Sequence, residues 1–146
     1  MQVSRVLPRI AWVLLVVSML GFADAAYLTA KHYTGETPTC IIFSGCDVVT
    51  TSTYSTIGGI PIALLGALFY LGVFVLMLIF VDRRATMALK IVAVISLPAI
   101  LFTSWLVYLQ LFVLHALCFY CVTSAVFSTT ICILSQFVWF KPKEIQ

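Results

Sequence analysis

The chain has 146 residues, 63% of them hydrophobic and 9% charged, with a net charge of +3 and a mean hydropathy of +1.17. A soluble domain carries about 25% charged residues, so the composition excludes a soluble globular enzyme. It points to one all-α integral membrane domain over 1–146, with no room for a second domain and no Lys or Arg run for binding nucleic acid.

A hydrocarbon core of ~30 Å needs roughly 20 apolar residues per spanning helix. Four segments meet that length, and they predict a four-transmembrane-helix bundle. The helices fall at about 10–30, 59–81, 90–112 and 117–140. Arg5 and Arg9 precede the first helix. Arg83, Arg84 and Lys90 lie between the second and third, and Lys141 and Lys143 follow the fourth. Lys31 alone falls on the other side. The positive-inside rule then puts both termini in the cytoplasm and the 31–58 loop outside. A rival reading takes Arg5, Arg9, the apolar run and Ala23-Asp24-Ala25 as a cleaved signal peptide. The apolar stretch continues through Leu28, which is long enough for a span.

The outer loop opens with turn residues from Tyr33 to Pro38. Asp47 to Tyr54 predicts a short interfacial helix with Val48 and Val49 facing the membrane. Gly58-Gly59-Ile60-Pro61 then re-enters it, with Pro61 in the first helical turn, where a missing N–H costs nothing.

The cysteines carry the chemistry. Cys40 and Cys46 form C-x5-C in the outer loop, and Cys118 and Cys121 form C-x2-C at the start of the fourth helix. The topology brings both pairs to one membrane face. Residues i and i+3 on a helix are neighbours, and a helix N-terminus favours a thiolate, the attacking and leaving species of disulfide exchange. Disulfides form and persist on the extracytoplasmic side. Cys132 lies 11 residues beyond Cys121, roughly 16 Å deeper at the helical rise, and reads as packing. Three readings of these residues stand side by side. One is a thiol redox relay, the second a non-enzymatic membrane scaffold with static disulfides, and the third a zinc or iron–sulfur site. The shared face favours the relay, and an oxidising compartment disfavours the metal.

A relay that ends in a membrane helix needs an electron sink. The chain has no dinucleotide motif and no haem motif, since Val122 follows Cys121. A lipid-soluble quinone, ubiquinone or menaquinone, is the sink that reaches such a site laterally. Phe112, Trp105, Phe119 and Tyr120 are candidates to line its cleft beside Cys121. Asp24, ionisable within the first span, is a candidate proton relay. His115, just before the C-x2-C, could stabilise a thiolate or donate a proton. Gln110, Ser96, Thr103 and Ser104 read as helix–helix hydrogen bonds.

The pattern Cys40-x5-Cys46, followed by Asp47 to Gly66 (DVVTTSTYSTIGGIPIALLG), Tyr70 and Cys118-Phe119-Tyr120-Cys121, resembles the vitamin K epoxide reductase family, in its short prokaryotic form. Gly21 to Tyr33 is similar to the end of the family's first helix. The resemblance implies a four-helix bundle around a quinone and a thiol:disulfide oxidoreductase. Cys40 would meet a thioredoxin-like partner, Cys46 would pass the exchange to Cys118, and Cys121 would reduce the quinone. Ser52 matches a serine common in the family. Vertebrate members hydrogen-bond the quinone through an Asn and a Tyr at the places held here by Ile62 and Ala125. The resemblance therefore supplies neither those donors nor epoxide reduction. Many bacterial members carry a fused thioredoxin-like domain. This sequence ends at Gln146, so the expected partner is a separate protein.

Overall fold

The computed structural model describes residues 3–140, with side chains from residue 6 onward. Arg5, Lys141 and Lys143, which enter the orientation argument, lie outside the described side chains. Among the described residues, four helices are long and apolar enough to cross a membrane. These are α1 (Val3–Thr34), α3 (Ile62–Arg83), α4 (Thr86–Tyr108) and α5 (Phe119–Phe140). A π-helical turn over Leu109–Val113 extends α4. The loop between α1 and α3 holds the short helix α2 (Cys46–Thr51), a 3-10 turn at Thr53–Ser55 and a two-stranded hairpin, β1 (Thr56–Ile57) with β2 (Ile60–Pro61).

The helices form a closed ring. α1 packs on α3 and α5, and α4 packs on the same two. Between them Leu14, Val73, Met77, Val92 and Ile131 are fully buried. Lipid tails are as apolar as these side chains, so helix association relies on close packing and buried hydrogen bonds. Both are present. Gly21 lies against the Tyr70 ring, where a Cβ would come within 2.5 Å of a ring carbon, and so α1 and α3 approach closely. Ser96 and Ser135 hydroxyls meet at 3.2 Å, and the Gln136 carboxamide donates to the Ala93 carbonyl at 2.7 Å. Large apolar residues such as Met19, Leu68, Leu101 and Ile133 are exposed on the outside of the ring, as a bilayer solvent requires.

The re-entry differs from the expected one. The second spanning helix begins at Ile62 rather than at residue 59, because Gly58 and Gly59 both take positive φ (59° and 84°). Two consecutive left-handed residues make a tight hairpin turn instead of a helical one. Pro61 pairs with Thr56 and caps α3 from outside, in extended conformation, rather than sitting in its first turn. In the interfacial helix the two valines separate. Val49 lines the cavity described below, whereas Val48 is exposed. At the far end of α3, Arg84 adopts φ 54°, and its N–H closes on the Phe80 carbonyl at 2.8 Å.

Candidate functional site

Cys118 stands at the N-terminal boundary of α5, where its carbonyl accepts the first helical bond, from the Val122 N–H at 3.0 Å. Its position is fixed from the preceding turn. Leu114 N–H bonds the Leu109 carbonyl at 2.8 Å, which is the π-helical closure, and His115 reverses the chain with φ 48°. Gln110 then holds both sides of the reversal. Its backbone carbonyl accepts from Ala116 N–H, and its side-chain Oε1 accepts from Cys118 N–H, each at 3.1 Å. Cys118 and Cys121 are both thiols, and Cys118 is fully buried. The Cys121 thiol hydrogen-bonded to Cys118 lowers the Cys118 pKa to about 7. The N–H groups of Cys121 and Tyr120 pull the same way, against burial and Asp24.

The loop pair is closed as a Cys40–Cys46 disulfide. Two contacts seat it on the start of α5. The Tyr120 hydroxyl donates to the Thr39 carbonyl at 3.1 Å, one residue before Cys40. Gly45, one residue before Cys46, lies so close to the reversal that a Cβ there would stand 2.9 Å from Ala116 Cβ and from both Leu117 N and O. The consequence is that Cys46, 1% exposed, and Cys118 are sealed at the same end of the bundle. Cys40 stays half-buried beside the exposed Ile41 and Ile42.

Beneath the pairs a cavity of about 380 Å³ opens between the four spanning helices and α2. Cys121 is in its wall, with Phe69, Phe102 and Leu106 among its apolar lining and Asp24, Tyr70 and Gln110 among its polar lining. Tyr70 crosses from α3 to α5, donating to the Ser124 carbonyl at 2.7 Å and meeting the Ser124 hydroxyl at 2.8 Å. Asp24 Oδ2 is the one buried side-chain nitrogen or oxygen without a hydrogen-bond partner among the described residues.

The residues singled out from sequence distribute unevenly. The four paired cysteines gather at one end of the bundle. Asp24 and Ser52 line the cavity, and Ser52 also donates to the Val49 carbonyl at 2.8 Å. Phe112, Phe119, Tyr120 and Trp105 are not among the lining residues. Phe112 is 64% exposed and packs on Tyr108, because the π-helical turn rotates it outward. Trp105 is likewise exposed and stacks on Tyr108. Tyr120 is turned towards the loop and Tyr27, with Phe119 against it. His115 is exposed at the reversal and does not line the cavity. Cys132 is a half-buried thiol outside the cavity lining. Sequence reasoning took Gln110 for a simple helix–helix contact and gave Tyr70 no role. A polar residue four before a short reversal, and a tyrosine one helical turn past Gly66, were the available signals. Among the described residues no group of three or more His, Cys, Asp and Glu is arranged to hold a metal ion.

The model of the vitamin K epoxide reductase family matches residues 12–136, from within α1 to near the end of α5.

Proposed function

We propose, since the chain belongs to the vitamin K epoxide reductase family of membrane thiol oxidoreductases, that it reoxidises a separate thioredoxin-like protein and passes the electrons to a membrane quinone. The observation that carries this reading is the position of the C-x2-C pair. Cys121 opens on the cavity, while Cys118 stands beside the seated loop disulfide.

The thiol steps follow from exposure. A partner thiolate attacks Cys40, the accessible member, and Cys46 leaves as the thiolate. The partner's second thiol then releases it as a disulfide, leaving two electrons on Cys40 and Cys46. Cys46 attacks Cys118 of a Cys118–Cys121 disulfide, and Cys121 leaves. Cys40 then resolves the mixed bond, which closes Cys40–Cys46 and frees Cys118. The observed bonding, with the loop pair closed and the helical pair as thiols, corresponds to the state after this exchange. A quinone, ubiquinone or menaquinone, supplies the acceptor for the two electrons and two protons that return the helical pair to a disulfide. Mostly apolar walls and a volume of about 380 Å³ fit its ring. Asp24, which lines that wall and whose Oδ2 is buried without a hydrogen-bond partner, is the residue suited to hold a proton there. Ile41 and Ile42 offer apolar contact to the partner. The cysteine end of the bundle faces the extracytoplasmic side in this reading.

The static-scaffold alternative predicts a cysteine redox state that never changes with partner or quinone supply. The test mixes purified protein with a reduced thioredoxin-like substrate and follows quinone absorbance. Quinone consumed in step with substrate thiol, with the signal abolished in Cys121→Ala, supports the route. Thiol oxidation at the normal rate in Cys118→Ala or Cys121→Ala removes it.

A further inference from the structure

A ligand carbonyl buried in a mostly apolar cavity needs a hydrogen-bond donor, because a buried acceptor without one is costly. Most hydroxyls around the cavity have none to give. Thr50, Ser52, Ser55 and Ser128 each donate to a backbone carbonyl. Tyr70 donates to the Ser124 carbonyl, and the Ser124 hydroxyl in turn meets the Tyr70 oxygen. Thr103 faces the Ser128 oxygen. His32 and Tyr54 also line the space, but both are exposed.

Gln110 differs from all of these. Cys118 N–H can only donate, so the Gln110 carboxamide must turn its oxygen towards it. That leaves the NH2 group on the other side. The NH2 makes no bond to any described residue, yet it is not among the buried atoms left without a partner. An amide nitrogen that is neither bonded nor sealed borders open space. Gln110 is only 3% exposed, and the space it lines is the cavity.

We infer that Gln110 donates a hydrogen bond to a carbonyl of the cavity's ligand while its oxygen holds Cys118, so that one side chain sets the spacing between ligand and cysteine pair. This inference rests on the quinone reading above. Ile62 and Ala125, both in the cavity wall, have no side-chain hydrogen to give, which makes the Gln110 donor the more necessary.

The test uses a short-chain ubiquinone, isotope-labelled at its ring carbonyls, bound to protein whose cysteine pairs are both oxidised, so that no turnover occurs. Infrared difference spectra should show one carbonyl stretch lowered relative to the same quinone in protein-free micelles. Gln110→Met should abolish that lowering and weaken binding by about fivefold, the effect of one hydrogen bond. Gln110→Glu keeps an oxygen for Cys118 N–H and, as a carboxylate at high pH, has no hydrogen to give. It guards against a collapsed turn and should lose the lowered band too. A band that stays low in either variant, or is lost only in Asp24→Ala, overturns the inference, as does bound but unshifted quinone in the unsubstituted protein. Absence of any quinone binding to the unsubstituted protein sinks the quinone reading itself, and this inference with it.

Discussion

At the scale of single residues, the chemistry turns on why one thiol of a pair is the more reactive. Cys118 sits where a helix begins, so free N–H groups surround its sulfur, and the Cys121 thiol donates to it. Its pKa of about 7 makes it half thiolate near neutrality. The expected outcome is a Cys118 thiolate absorbance that grows as pH rises through about 7 and levels off above it, a readout that needs no reagent to reach the buried sulfur. Ultraviolet thiolate absorbance, taken as the difference from Cys118→Ser across that range, measures it, and a difference still climbing at pH 9 would contradict the assignment. Asp24 poses a separate question. Asparagine at that position keeps the shape and cannot exchange a proton. Asp24→Asn should therefore lower kcat for quinone reduction by about 10²-fold while leaving the affinity for quinone unchanged, and should move the Cys118 thiolate profile to lower pH, since the Asp24 charge opposes that thiolate. An unaltered kcat would make Asp24 a bystander.

At the scale of elements, two segments far apart in sequence are seated against each other by a missing side chain. Gly45 has φ −102°, which any residue adopts, so its smallness alone matters here. A Cβ would meet Leu117 N and O and Ala116 Cβ at 2.9 Å, and backbone atoms cannot turn aside. Gly45→Ala should lift Cys46 away from Cys118 and slow exchange between the two pairs by at least about tenfold, with the overpacking costing ~1–3 kcal/mol. Gly72→Ala, with nothing within 4 Å of the added methyl, should be silent. Rapid-quench trapping of the mixed disulfide reads both, and equal rates in the two variants would show that the close approach is irrelevant. The sequence announced the cysteine pairs, because C-x5-C and C-x2-C are local patterns that a count of residues exposes. It could not announce Gly45, since nothing local distinguishes a glycine pressed against a distant turn from one in a loop. The same holds for the cavity wall. Aromatic residues next to Cys121 in sequence, Phe119 and Tyr120, point elsewhere on the helix, while Tyr70 and Gln110 arrive from other helices.

At the scale of the whole molecule, the four spans were legible because twenty-odd apolar residues in a row are a bulk property that neighbours do not alter. The helix ends were less so. Paired positive-φ glycines at 58 and 59 and the π-helical turn at Leu109–Val113 are set by backbone closure rather than by hydropathy. The bundle puts Arg9, Arg83, Arg84 and Lys90 at the end opposite the cysteines, since α1 and α4 begin there and α3 finishes there. Asp82 lies 3.8 Å from Arg83, with both side chains about four-fifths exposed, so their pairing is screened. Carboxylates count little towards the orientation rule in any case. The basic end should therefore stay in the cytoplasm and the cysteine end should cross to the oxidising side. An alkaline phosphatase reporter inserted at Gly35, an exposed left-handed position with open space around it, should be active in a bacterial host. The same reporter fused after Gln146 should be inactive. Phosphatase activity from the C-terminal fusion, or none at Gly35, would invert the bundle. Cys40 and Cys46 would then face a reducing compartment, where the glutathione pool would reduce them and the proposed direction of electron flow could not be maintained.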